Sequence, residues 1–312
     1  MNNKKKIKVS LIILTYNGID LTLDVLKDIS KLDISGITTE TVVVDNASKD
    51  KTVKTLKNYK LPNMDFKLIV NDENLGFAGG NNVGIKDCLK RGSDFIVLLN
   101  NDVILSNNLL QVLVNTVLKN EKIGIVSPKM YFAKGFEFHK DRYKESELGK
   151  VIWYAGGIID ENNVYSSHRG VDEVDLGQYD NEEETDFANA ATVLIRSKLL
   201  EEIGLLDENF FLYWEDADLS QRAKLNNWKV VYTPKTHIWH KVSVAAGGPG
   251  GEVNDYFLIR NRFVFGFRYF SLRTKFALIR DSILILLKGR KWQKMGVVDF
   301  YLGRLGKGSK IK

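Results

Sequence analysis

Residues 9–18 read VSLIILTYNG. The apolar run over 9–14 is too short for a membrane span, and no small-residue cleavage site follows it, so it reads as a buried strand. The pattern repeats outward from there. Residues 19–32 place Leu23, Leu26 and Ile29 at helical spacing, and 40–44 form a second strand. A helix over 51–59 follows the cap signal of Ser48 and Asp50. Then come a strand over 66–70, a helix over 79–90, a strand over 95–99 and a helix over 109–118. Short apolar strands alternating with amphipathic helices predict an α/β fold whose parallel sheet is covered on both faces. Ligands on such sheets bind beyond the carboxyl ends of the strands. Polar residues collect there: Thr15, Tyr16 and Asn17 after the first strand, Asp45 and Asn46 after the second, Asn74 and Gly76 after the third, Asn100, Asn101 and Asp102 after the fourth.

The rest of the composition narrows the class. With 312 residues, 44% of them hydrophobic and 27% charged, the chain is globular and long enough for a large core. A single cysteine, Cys88, excludes a disulfide framework and a cysteine-built zinc site, and fits a reducing cytoplasm. No stretch approaches the roughly 18–20 apolar residues of a membrane span. The net charge of +6 is uneven: residues 260–312 carry 14 Lys/Arg and 2 Asp/Glu, leaving 31 and 37 for the remainder. Such a tail implies an anionic partner. Its charges are interleaved with Phe263, Phe265, Phe267, Tyr269, Phe270, Leu272, Phe276, Leu278 and the run 283–287. That mixture suits interfacial helices on an anionic membrane surface better than a nucleic-acid arm. The alternative is that the aromatics pack on the body and the arginines form a solvated face.

The second half is less regular. Residues 135–186 read as a loop-rich surface insertion without a functional role; 172–186 hold eight acids and no base. An apolar stretch over 188–195, a helix over 198–203, the segment FFLYWEDADL over 210–219, a helix to Leu225 and a strand over 230–232 follow. His237 to His240 then lead into a glycine-rich stretch over 245–251.

Four constellations could carry chemistry. Asp45 at a strand tip accepts a hydrogen bond from a base or ribose, or else caps the next element. The stretch from Asn74 through Gly76, Gly79, Gly80, Asn81 and Asn82 lets backbone approach a ligand, or forms a tight turn. It lacks the dinucleotide GxGxxG spacing. Asp102 supplies a carboxylate for a hard divalent cation and His240 a nitrogen, a pair that suits Mn²⁺ as well as Mg²⁺; otherwise His240 is a buried structural histidine. Glu215, Asp216 and Asp218 form an acidic cluster beside Tyr213 and Trp214. A carboxylate held there has a raised pKa and serves as general base, or the cluster complements a helix dipole.

In order, the motifs VSLIILTYNG, VVVDNASKDKT, NLGFAGGNNVGI, VLLNNDV, FFLYWEDADLSQRAKLNNW and IWH resemble the family 2 inverting glycosyltransferases, closest to the bacterial and archaeal rhamnosyltransferase-like branch. The resemblance runs from about Lys8 to His240. It implies a GT-A fold, with a Rossmann-like nucleotide-binding half built on a mainly parallel sheet, an acceptor-binding half and C-terminal helices. The catalytic domain would span 1–240 and a basic amphipathic helical region 241–312.

Carried over by position, Thr15, Tyr16 and Asn17 would line the nucleotide pocket and Asp45 would bond the base. Asn74, Gly76, Gly79, Gly80 and Asn81 would lie near base and ribose. Asp102 matches the last acid of a DxD-type metal motif, and His240 a histidine that completes the metal site in some relatives. Asp216 matches the catalytic base of an ED motif. The motif's first acid is replaced by Asn100, a neutral and weaker metal ligand that with Asn101 still suits ribose or sugar. Trp214, with Tyr213, would wall the sugar or acceptor site, and Glu215 would orient the acceptor or bond sugar hydroxyls. The resemblance implies a divalent cation, a nucleoside diphosphate sugar of dTDP or UDP type with dTDP-rhamnose favoured, and a glycan or lipid-linked acceptor in cell-surface polysaccharide synthesis. The enzyme would act in the cytoplasm, peripherally at the inner membrane face. Galactofuranosyl or hexosyl transfer and a non-catalytic nucleotide-sugar binder are the alternatives. A sugar nucleotidyltransferase would need a glycine- and arginine-rich loop where Thr15 to Gly18 stand, and an oxidoreductase would need the missing dinucleotide fingerprint.

Overall fold

The computed structural model of the chain describes residues 6–242 and 251–309; the stretch 245–251 lies outside them except for Gly251. The expected alternation opens the fold: β1 (Ile7–Thr15), α1 (Ile19–Ile29), β2 (Ile37–Asp45), α2 (Thr52–Leu56), β3 (Asp65–Val70), α3 (Gly76–Lys90) and β4 (Phe95–Asn100). β1 lies parallel to β2 and to β4, and β3 extends the sheet beyond β2 in parallel. Leu11 and Ile13 enter the core on one face of the sheet and Ile12 on the other, all fully buried, as period-two alternation between two covered faces requires. α2 is shorter than the expected 51–59, and its N-cap is Lys51; Asp50, one residue before it, accepts the Thr52 amide at 2.9 Å.

Next come β5 (Val103–Leu105), α4 (Leu109–Leu118), β6 (Ile123–Phe132), β7 (Ile152–Tyr154), β8 (Gly157–Asp160), β9 (Tyr165–His168), β10 (Glu183–Glu184), β11 (Thr192–Arg196), α5 (Ser197–Ile203), α6 (Glu215–Leu225) and β12 (Lys229–His240). The sheet order is β10-β12-β6-β11-β4-β1-β2-β3, with β5 on β12 and β7 on β6. β11 is antiparallel to both β4 and β6, while β6 and β12 run parallel. The sheet is therefore mostly parallel, with an inverted strand at its centre.

Two readings are corrected. The strand expected over 230–232 continues to His240; its register breaks between Thr233 and His237, so Pro234 sits in the irregular stretch, where proline is tolerated. The insertion over 135–186 is not a plain loop: its β7 pairs with β6, its β10 pairs with β12, and its β8 and β9 form a separate hairpin.

Three helices end the chain: α7 (Glu252–Tyr269), α8 (Leu272–Lys288) and α9 (Lys291–Tyr301). α7 is built into the body, with Tyr256, Phe257, Arg260, Asn261, Phe263 and Phe265 fully buried, so for this helix the packing alternative holds. A boundary at 240 separates β12 from a helix that helps form the core. Among the described residues no helix is long and apolar enough to cross a membrane.

Candidate active site

The parallel order β4-β1-β2-β3 brings four polar strand ends to one edge. At the end of β2 Asp45 is fully buried; its Oδ1 accepts the Ser48 amide at 2.9 Å, and its Oδ2 has no partner among the described residues. Leaving a buried acceptor unmatched costs about 1–3 kcal/mol, so this oxygen suits an N–H or O–H of a ligand. Tyr16, at the end of β1, is 49% exposed. Asn46, which sequence reasoning gives no role, joins these loops. Its Nδ2 donates to Asn74 Oδ1 at 2.9 Å and to the Gly76 carbonyl, and its Oδ1 accepts from Asn71 Nδ2 and the Leu75 amide. Its one signal is its place directly after the strand-tip aspartate.

Several residues expected to meet a ligand are engaged within the protein. Thr15 Oγ1 accepts from Thr22 at 2.9 Å, and Asn101 Nδ2 lies 3.4 Å from both hydroxyls. Asn17 clasps the next loop, donating its amide to Ser48 Oγ and accepting the Lys49 amide, both at 2.8 Å. Gly76, Gly79, Gly80 and Asn81 lie within α3 rather than in a loop. Gly76 adopts φ +73° against Phe211, and a side chain at Gly80 would collide with Leu14. At Gly80 the missing side chain lets α3 pack on β1. Asn81 is buried and donates to the Phe77 carbonyl.

Asp102 and His240 come together from positions 138 residues apart in the sequence. β5 pairs antiparallel with β12, so that His240 stands across from Val103. His240 Nε2 lies 3.0 Å from Asp102 Oδ1, and both residues are buried. Adjacent ligands on an octahedral ion bound at about 2.1 Å are themselves about 3 Å apart, so the pair fits a divalent cation that takes its remaining ligands from diphosphate and water. Among the described residues no third His, Cys, Asp or Glu joins them. Asn100, at the end of β4, is half-buried.

The acidic cluster resolves into three roles. Phe211, Tyr213 and Trp214 all have positive φ, at 62°, 68° and 75°, a run costing about 1–3 kcal/mol per residue and sustained only where surroundings enforce it. α7 provides that enforcement: Asn261 Nδ2 faces the carbonyls of Phe210, Leu212 and Tyr213 at 2.8 Å each, and Arg260 donates to those of Asn209 and Phe210. The strained backbone turns Trp214 into the core against Phe265, with ring centroids 5.0 Å apart. Asp218 is fully buried and takes Arg222, Arg268 and Tyr269 at 2.8, 2.7 and 2.6 Å, which pins α6 to α7. Asp216 differs from both neighbours: it is half-buried, has no basic partner among the described residues, and accepts the amides of Ala217 at 2.8 Å and Ala190 at 3.3 Å. Burial raises its carboxyl above the usual aspartate range, against the pull of those amides. Glu215 is buried, its Oε2 has no partner among the described residues, and burial together with the Asp216 charge pushes its carboxyl well above the usual range.

The base candidate and the cation pair belong to one neighbourhood. The Asn100 amide donates to the Ala191 carbonyl at 2.9 Å, one residue from the amide that Asp216 accepts. Asn189 contacts His168 Nε2 at 3.2 Å, His168 packs on Trp153, and Trp153 packs on His240 with centroids 4.3 Å apart. Burial pushes His168 down to about 4, so it is neutral at physiological pH. Trp153 and His168 fall in the segment read as functionless; nothing in its composition or periodicity marks them.

Comparison with known proteins follows this geometry. The profile of the family described as Glycosyltransferase like family 2 matches residues 7–247. The low-salt glycan biosynthesis hexosyltransferase Agl10 of Haloferax volcanii is 26% identical over 241 residues, covering 76% of this chain and 70% of that protein. The N-acetylglucosaminyl-diphospho-decaprenol L-rhamnosyltransferase of Mycobacterium tuberculosis is 21% identical over 214 residues, 66% of this chain and 67% of its own. The mannosyltransferase PcManGT from Pyrobaculum calidifontis, solved with GDP-Man and Mn²⁺, shares the fold with a TM-score of 0.55 at 16% identity, over 95% of this chain and 74% of that one.

Proposed function

The chain belongs to glycosyltransferase-like family 2 and is a glycosyltransferase of GT-A fold, and from that premise we propose that it transfers a deoxyhexose, rhamnose above all, with inversion. The donor is a dTDP- or UDP-type sugar and the acceptor a hydroxyl of a glycan carried on a lipid at the cytoplasmic face of an anionic membrane, in cell-surface polysaccharide synthesis. The Mycobacterium tuberculosis relative, whose name states a rhamnosyl donor and a lipid-diphosphate acceptor, supports this assignment. The Haloferax volcanii relative supports a hexosyl donor as the second reading.

The observation that carries the mechanism is Asp216: a half-buried carboxylate fixed by two backbone amides, with no basic partner among the described residues. The acceptor hydroxyl bonds to this carboxylate. Its proton passes to Asp216 as the oxygen attacks the anomeric carbon from the face opposite the diphosphate, whose bond to that carbon breaks. One in-line displacement inverts the centre and needs no covalent glycosyl-enzyme. A general base of this kind is worth about 10²–10⁴-fold. Asp45 Oδ2 accepts from the base of the nucleotide, and Tyr16 lies along it. Asp102 and His240 would hold a divalent cation, Mn²⁺ or Mg²⁺, which would supply Lewis-acid neutralisation of the leaving diphosphate. Glu215, held toward its neutral form by burial, donates to a sugar or acceptor hydroxyl.

A thermal-shift panel of dTDP-, UDP- and GDP-sugars with and without Mn²⁺ tests the donor assignment, with released nucleotide measured in parallel. Cation-dependent stabilisation by dTDP-rhamnose or a UDP-sugar, with slow nucleotide release, is expected. Stabilisation by GDP-sugars alone contradicts the donor reading.

A further inference from the structure

α8 buries one side and leaves the other bare. Thr274, Leu278 and Ser282, one per turn, are buried and set its inner side. Leu272, Phe276, Ile279, Ile283 and Leu287 follow one another at intervals of four or three residues along the opposite side, and are 73, 70, 37, 53 and 68% exposed. Exposed apolar residues scattered singly need no explanation, but five on one continuous stripe mark an interaction surface. Arg273 and Arg280, two turns apart, edge the stripe. With Phe276, Ala277, Asn162 and Asn163 they line an open hollow of about 560 Å³ between α8 and the turn of the β8–β9 hairpin. Neither arginine has a hydrogen bond or ion pair among the described residues.

Charge selects the occupant. Residues 272–304 carry eight Lys/Arg against two Asp/Glu, and both acids are engaged, Asp281 by Arg262 and Asp299 by Tyr256 and Ser309. A second copy seated on this stripe would bring rows of arginine against their own kind, with no free acid on α8 or α9 to meet them. We propose that the outward face of α8 docks on a lipid bilayer: the stripe enters the interfacial layer and the Arg273–Arg280 hollow takes the phosphate of an anionic lipid headgroup. The proposal rests on the lipid-carried acceptor proposed above. It also has a structural route to the site. Thr274 Oγ1 donates to the Glu161 carbonyl in the hairpin turn at 3.1 Å, and the hairpin's far end is His168, beside the His240 neighbourhood. Docking on α8 thus holds the cleft at a fixed place on the membrane surface.

The test is flotation of the full chain with vesicles of phosphatidylcholine alone and of phosphatidylcholine with phosphatidylglycerol, with nucleotide release from the sugar nucleotide measured without vesicles. The wild type is expected to float with the anionic vesicles only, and less as salt rises. The exposed pairs Arg273→Glu with Arg280→Glu, and Phe276→Ser with Ile283→Ser, each lower partition about tenfold or more while leaving nucleotide release unchanged. Equal flotation of variants and wild type, equal flotation on neutral vesicles, or a dimer in sedimentation that the Phe276→Ser/Ile283→Ser chain loses overturns the proposal. A wild type that releases nucleotide but does not float ends the docking surface alone. One that floats but turns over no sugar nucleotide ends the transfer reading alone.

Discussion

Asn261 of α7 holds its amide nitrogen 2.8 Å from the carbonyl of Tyr213, in the middle of a left-handed stretch that leads directly into Asp216. One buried side chain of a C-terminal helix thus stabilises the backbone that aims the candidate base. Replacing it with Ala leaves buried carbonyls without a donor, which costs about 1–3 kcal/mol. Asn261→Ala is expected to lose stability of that order in urea unfolding. At temperatures where the variant is fully folded, kcat should fall while donor affinity holds. A loss of stability with kcat untouched would show that the contact supports the fold only.

Asp218 is the member of the acidic cluster that the structure assigns to packing. It is fully buried between Arg222 and Arg268. Removing one partner of a buried pair is strongly destabilising, by about 3–5 kcal/mol where no other group compensates. Arg268 keeps Asp207 at 2.8 Å, so Asp218→Ala is expected toward the lower end of that range by denaturant unfolding. Its donor affinity should match the wild type in whatever fraction is folded.

Glu215 gives a pH signature with a definite sign. Its carboxyl is raised in the folded state, chiefly by burial, so folding is disfavoured once the group must ionise. The stability it allows is complete below the ordinary glutamate value of 4.5 and is lost as pH rises through the elevated folded value. Glu215→Gln removes that loss. Unfolding curves at pH 4 and pH 8 should nearly coincide for wild type and variant at the lower pH and separate at the higher, with the variant the more stable. The reverse order would mean that Glu215 is held charged by a partner.

Asp102 and His240, 3.0 Å apart, are expected to act together toward a cation. In thermal-shift titrations with Mn²⁺ and a nucleoside diphosphate, Asp102→Asn and His240→Ala should each raise the half-saturating cation concentration about tenfold or more, the scale on which even supporting groups of metal sites act. The double variant should lose little beyond the single ones, since the two ligands serve one ion. Unchanged cation dependence in both single variants removes them as ligands.

The first half of the fold was legible because β1, β2 and β4 are buried on both faces and read as short apolar runs, and their alternation with helices predicts a parallel sheet. The second half was not. β6 carries Pro128 and a buried Lys129, paired with Asp175 and Asp180, so its pattern is broken by residues whose partners are far along the chain. Pro234 hid the continuity of β12 in the same way. Asp45, Asp102, Asp216 and His240 stood out as candidates in the sequence because each is an ionisable group at or near an element end. The burial of Trp214 against Phe265 was not legible, because a left-handed backbone turns its ring inward, which no spacing rule anticipates. His168, Trp153 and Asn261 reach the site through tertiary packing, and only coordinates bring them there.

The central claim is that the carboxylate of Asp216 takes the acceptor's proton. Steady-state transfer by Asp216→Asn, measured beside donor affinity by thermal shift, tests it most directly. The account predicts a kcat lower by about 10²–10⁴-fold with the donor bound as tightly as by the wild type. A variant that keeps near-normal turnover, or one that loses activity only in step with donor binding, contradicts it.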